Sequence, residues 1–266
     1  MKRLSLLLIL SGIVFTLNSS LYSQPKFIIN VTGGYGVPMG DFKTALPAPG
    51  TKADADWYPY YTKQLINFGA DGKLALGKKG NLRVVLGVTY NMFSNNVDAS
   101  FLTDTSTGTL STVNFKPKVN ILSISLGAEW AFMPKGKTNP FIGIGMTGNF
   151  FGGSYTWGQN VYVHGVQRTG PMDMKSETRI GFIIDGGVDF MLSKNIGAIV
   201  GIKYHMINPL GKGADNPADI GPNEIDLGDM AHTEGGNTFA NRTISSFNGY
   251  AGVSFYFGAP KTIIKK

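Results

Sequence analysis

Three stretches of this sequence each carry two aromatic residues eight positions apart within an alternating apolar and polar run: Phe27 and Tyr35, Phe182 and Phe190, and Phe247 and Phe255. In an extended strand, residues of equal parity share a face, and these faces also hold the aliphatic side chains. At about 3.3 Å per residue and a tilt of about 40°, eight residues climb roughly 20 Å, close to the height of the apolar band on a membrane barrel. The spacing therefore sets one ring at each bilayer surface and predicts a transmembrane β-barrel with two aromatic belts.

Eight segments fit the period of two: 26–37, 65–77, 82–93, 119–132, 140–151, 179–192, 196–207 and 243–258. Their connections alternate between about 25 to 35 residues and short turns, the latter being Lys78-Lys79-Gly80-Asn81, 133–139 and Ser193-Lys194-Asn195. Long loops on one rim and short turns on the other are the layout of a bacterial outer-membrane barrel, whose turns face the periplasm. The expected fold is all-β: an eight-stranded antiparallel up-and-down barrel. A ten-stranded barrel follows instead if 155–167 adds paired strands.

The faces support this reading. Leu82, Val84, Leu86, Val88 and Tyr90 share one face of the third strand, against Arg83 and Thr89. Trp130 and Phe132 oppose Glu129, Phe182 and Phe190 oppose Asp185 and Asp189, and Tyr204 opposes Lys203 and His205. With Phe27, Tyr35, Phe247, Phe255 and Phe257, the outward aromatics complete the belts. The inward charges are Asp71, Lys73, Arg83, Glu129, Asp185, Asp189 and Lys203, with His205 beside them; Arg179, at a strand end, is the one charge assigned outward. A soluble sandwich shows the same period, but the signal segment, the belts and the loop alternation favour the membrane.

The chain opens Met1-Lys2-Arg3, continues as an apolar run to Leu17 and reaches Ser19-Ser20-Leu21-Tyr22-Ser23. This is the layout of a secretory signal, read here as residues 1–23 with cleavage before Gln24. Residues 24–258 then form one barrel domain, and 259–266 a short basic tail. There is no cysteine, which excludes disulfides, a lipobox and thiolate metal sites. The 36 glycines argue against long helices, and the mean hydropathy near zero is what alternating lipid-facing and lumen-facing residues average to. Removing Lys2 and Arg3 lowers the formal charge from +7 to +5, and no basic run interleaved with aromatics suggests nucleic acid.

Gly33-Gly34-Tyr35-Gly36-Val37-Pro38-Met39-Gly40-Asp41-Phe42, Asn139-Pro140-Phe141-Ile142-Gly143-Ile144-Gly145-Met146-Thr147-Gly148 and Gly249-Tyr250-Ala251-Gly252-Val253-Ser254-Phe255-Tyr256-Phe257 together resemble the outer-membrane β-barrel family of OmpA/OmpX-like small barrels, in its Bacteroidetes-like form. The resemblance implies residence in the bacterial outer membrane, contact with outer-membrane lipid, and recognition of the terminal strand by the barrel-assembly machinery. The tail 259–266 departs from the family pattern, which ends at the final aromatic.

In an interior only wide enough for side chains, the charges are expected to pair as a polar plug. Asp185 and Lys203 stand equally far from Lys194 and so face each other across a hairpin. His205 with Ser246 could serve as base and nucleophile, as in barrels that deacylate lipid A, but no orienting carboxylate is placed with them. His164 and His232 form no metal-ligand spacing, the acidic loop 208–242 reads as solvated, and no cofactor or metal is expected. Trp57, Tyr58, Tyr60 and Tyr61 form an aromatic cluster in the first long loop, suited to a partner or to the upper belt. The function read from the sequence is structural or adhesive, non-enzymatic and monomeric, with an unspecified extracellular ligand. The alternative is a small porin or an OmpW-like conduit for small or apolar compounds, and after it a lipid A-modifying enzyme.

Overall fold

The computed structural model describes residues 25–43, 60–77, 79–163, 166–168, 170–213, 223–234 and 237–258. The signal segment, the tail, Trp57, Tyr58 and His164 lie outside the described residues. Eight antiparallel strands close on themselves: β1 (Phe27–Gly40), β2 (Gln64–Leu76), β3 (Leu82–Ser94), β4 (Thr109–Ala131), β5 (Thr138–Trp157), β6 (Glu177–Met191), β7 (Ile196–Leu210) and β8 (Ile244–Phe257). Each pairs with its sequence neighbour, and β1 pairs with β8 from Phe27↔Phe257 to Gly40↔Ile244. Closure leaves no unpaired edge in hydrocarbon, where an unsatisfied backbone group costs several kcal/mol.

The outer surface is apolar where the sequence places it. Leu86, Val88, Leu126, Ile144, Ile184 and Val200 are all exposed on the wall, which in this setting means lipid-facing. Tyr204 stands opposite Phe247 in register, and Tyr90 opposite Phe68, at the outer belt. Trp130, Phe132, Phe190, Phe255 and Phe257 mark the periplasmic belt, where the rings of Phe27 and Phe257 lie 6.0 Å apart.

Two expectations need correction. The strands on the loop side are longer than their alternation suggests: β4 starts at Thr109 and β5 runs to Trp157, so this part of the wall rises above the outer belt. Residues 155–167 do not widen the barrel. Tyr155–Trp157 finishes β5, and Val161–Val163 pairs with Val166–Arg168 as a separate hairpin. Short strands decorate the raised rim: Val97–Asp104 folds back on β4, Met172–Met174 on β5, and Glu224–Ile225 pairs parallel to Met172–Met174. Secondly, Arg179 points inward and is buried, sharing the parity of Gly181, Asp185 and Asp189.

Candidate functional site

The lumen is built in layers, because inward-facing positions at one height come from all eight strands. Nearest the periplasmic turns, Lys73, Arg83, Glu129 and Asp189 form a buried four-member ion cluster. Lys73 Nζ lies 2.6 Å from Glu129 Oε2 and 3.7 Å from Asp189 Oδ1, while Arg83 donates to Glu129 at 2.8 Å and to Asp189 at 2.9 Å. Asn139 adds a bond to Asp189 at 3.2 Å, and the Phe141 ring centroid lies 4.0 Å from Lys73 Nζ. Buried charges persist only where paired; Arg83 and Glu129 face each other on the neighbouring strands β3 and β4, while the other three pairs brace strands that are not neighbours in the sheet.

One level outward, Asp71 accepts from Asn30 Nδ2 at 2.7 Å. Asp185 and Lys203 are opposite in register, as the sequence predicts, and Gly143 leaves the space that the Asp185 carboxylate occupies. They do not close to ion-pair distance; Lys203 Nζ instead lies 5.4 Å from the Tyr250 ring centroid. A cavity of about 40 Å³ separates these groups, enough for a few waters between polar partners. The expected Asp185–Lys203 bridge thus gives way to a small polar cavity that both residues line, and the pairing sits one layer lower.

Above it lies a neutral layer. Asn91 donates to Ser123 Oγ at 3.2 Å, and Thr147 Oγ1 lies 3.0 Å from His205 Nε2. His205 also faces Ser246 in register, but among the described residues no carboxylate bonds the ring to orient it. Asn149 donates to Thr147 Oγ1 at 2.9 Å and to the Ile207 carbonyl at 2.7 Å. This second bond matters for the wall. The β6–β7 register skips from Ile180↔Leu210 to Phe182↔Met206, so that Gly181 alone stands beside Ile207, Asn208 and Pro209. A Cβ at Gly181 would come within 2.6 Å of Thr147 Oγ1 and Asn149 Nδ2. Pro209 has no N–H to give the ladder, and the Asn149 amide spans the lumen side of this irregularity.

The outermost layer reverses the expected character of the lumen. Leu65, Phe93, Val119, Ile121, Phe151, Ile207 and Ile244 face inward and are buried, joined from above by Phe42, Tyr60 and Leu227. The Phe42 ring is 4.8 Å from that of Tyr60 and 4.7 Å from that of Phe93. Under the raised β4–β5 rim the same cluster continues as Phe101, Phe115, Tyr155 and Trp157, with Phe115 stacked on Tyr155 at 5.8 Å. The lumen is therefore predominantly polar in its lower part and predominantly apolar at its outer end. Tyr60 and Tyr61 are turned into this cap and are not an exposed contact surface.

Residues 223–229 of the fourth outer loop lie across the top. Arg179 clamps Asp229 through Nε at 2.9 Å and one terminal nitrogen at 2.8 Å, and also pairs with Glu177. Asn208 donates to Asp229 at 2.8 Å and accepts from Ile244 N at 2.7 Å. Tyr60 donates its hydroxyl to the Leu227 carbonyl, and burial pushes that phenol well above its ordinary range. Segment 223–229 is thereby latched over the apolar layer. Neither the latch nor the apolar cap was anticipated from the sequence; the available signal was the run of apolar residues on both faces of the strand ends, as at Ile121-Leu122 and Phe150-Phe151.

A closed eight-stranded barrel with lipid-facing belts, an ion-paired base and a packed apolar outer layer defines an integral outer-membrane barrel protein. The model of the OmpW family matches residues 62–214, more than half of the chain, and the protein belongs to that family. Among solved structures it is similar to Neisserial surface protein A, at 14% identity over 87% of this chain and 97% of that one, with a TM-score of 0.45. It is also similar to the outer membrane protein OprG from Pseudomonas aeruginosa, at 12% identity over 89% and 97% of the two chains, with a TM-score of 0.41. No curated protein matches the chain.

Proposed function

We propose that this protein is a monomeric conduit that receives small apolar compounds in its apolar outer layer and passes them sideways into the bilayer, without bond chemistry. One observation carries the reading: the lumen is apolar at its outer end and ion-paired at its base. Members of the OmpW family transport small hydrophobic compounds, and this division gives such a compound a physical route. A solute entering among Leu65, Phe93, Ile121 and Phe151 leaves water at a gain of about 25 cal/mol per Å² of apolar surface. Further descent would set it among the neutral amides, then against four charges whose separation costs several kcal/mol. The wall beside Gly181 and Pro209 offers the alternative exit, since its ladder is interrupted there and Ile180 and Leu210 outside it are exposed apolar residues. A structural or adhesive role would instead use outward-facing loop side chains, whereas Tyr60 and Tyr61 serve the interior.

The test is uptake of labelled n-octane by cells whose lipopolysaccharide leaflet retards apolar solutes. Expression should raise the initial rate several-fold, and Phe151→Asn at equal folded level should remove most of the gain. A rate equal to that of cells without the protein, or an equal gain for a sugar of similar size, contradicts the reading.

A further inference from the structure

The net charge of +7 conceals a strong asymmetry between the two rims. Every one of the 17 Asp and Glu residues falls, by sequence position, inside the barrel or in the segments at the loop end. The three short turns contain only basic ionisable residues: Lys78 and Lys79, Lys135 and Lys137, and Lys194. Lys79, Lys135, Lys137 and Lys194 are exposed, and among the described residues none of these four has an acidic partner. They are also interleaved with exposed apolar residues of the periplasmic belt: Phe132 and Met133 precede Lys135, and Leu192, 72% exposed, precedes Lys194. Trp130, half exposed, lies next to the first two turns, since Ala131 bonds Asn81 through both its N–H and its carbonyl.

We propose that this rim is a binding surface for anionic phospholipid headgroups of the periplasmic leaflet. Apolar belt residues fix its depth at the hydrocarbon boundary, so the ammonium groups of the turns stand at phosphate height, where unpaired lysines attract anionic lipid. Each turn contributes at least one described cation, so the attraction is distributed around the barrel mouth. Carboxylates of the cell wall would also attract lysines, but they would not require exposed Phe132, Met133 and Leu192 between the cations. The lipid surface accounts for both features. This inference does not depend on what passes through the lumen.

Trp130 provides the readout. The full mature chain is placed in vesicles of phosphatidylcholine with brominated phosphatidylglycerol, and separately with brominated phosphatidylcholine, and the quenching lost in Trp130→Phe is assigned to Trp130. Wild-type protein should enrich phosphatidylglycerol around Trp130 several-fold at low salt, with the enrichment falling as salt shortens the screening length. Combined Lys79→Gln, Lys135→Gln, Lys137→Gln and Lys194→Gln should abolish it. Lys116→Gln with Lys118→Gln, the same change at the opposite rim, should leave it intact. Equal quenching by the two lipids, or enrichment that survives the four turn changes, overturns the proposal. Lysine-dependent binding to purified cell-wall sacculi without phosphatidylglycerol enrichment overturns it in favour of a wall partner.

Discussion

Asp229 is fully buried in the described structure and accepts hydrogen bonds from Nε and one terminal nitrogen of Arg179, so its charge is tolerable chiefly because of that guanidinium. Asp229→Ala should destabilise the outer cap by about 3–5 kcal/mol, the range for a buried charge losing its partner. Limited proteolysis should then cut within 223–229, and Arg179→Met with Asp229→Leu should recover part of the loss. At the tip of the hairpin above β4, Asp104 shows the opposite situation, a surface carboxylate held by local bonds. The Ser106 hydroxyl bond comes first, then the Thr107 side chain and the amides of the turn, and together they lower its pKa from 3.8 to about 2. A depressed pKa contributes order above the unfolded value and loses it as the proton binds. The Ser106 amide shift should therefore hold as pH falls toward 3.8 and change only toward about 2; a midpoint near 3.8 contradicts the bonding described.

At the scale of the strand, parity is the strongest determinant, and it made the lipid face readable. Leu86 is exposed at the middle of β3, while Thr89 lines the interior cavity. Leu86→Arg should therefore cost about 2–4 kcal/mol for a charge in hydrocarbon, and Thr89→Arg less, because water and Asp71 or Asp185 are available to it. Folding titrations in lipid that give the reverse order contradict the face assignment. The same parity placed Asp185 against Lys203 and His205 against Ser246, because hairpin register follows from the turn. It could not supply contacts across the lumen: Arg83 and Asp189 lie 106 residues apart in the chain and on non-neighbouring strands. Nor could it reveal the cap. Where the inward face turns apolar, as at Val113, Phe115 and Val119 between Asn114, Lys116 and Lys118, the apolar parity reverses and the membrane strand appears to end. That reversal is itself the mark of an apolar cap above the membrane.

For the whole molecule, the consequence is a barrel divided by height. The Lys73, Arg83, Glu129 and Asp189 cluster closes the base, so the protein in planar bilayers should show no steady ion conductance; a reproducible open channel would contradict that closure. The apolar layer above should hold apolar solute and little else. The most direct test is methyl NMR of the protein in deuterated lipid, titrated with deuterated n-octane. Leu65, Ile121, Ile207 and Ile244 should shift saturably, while Ile28 and Ile199, buried on the inner face at the level of the ion cluster, stay fixed. Shifts at Ile28 and Ile199 comparable to those above, or none in the outer apolar layer at saturation, would contradict the account.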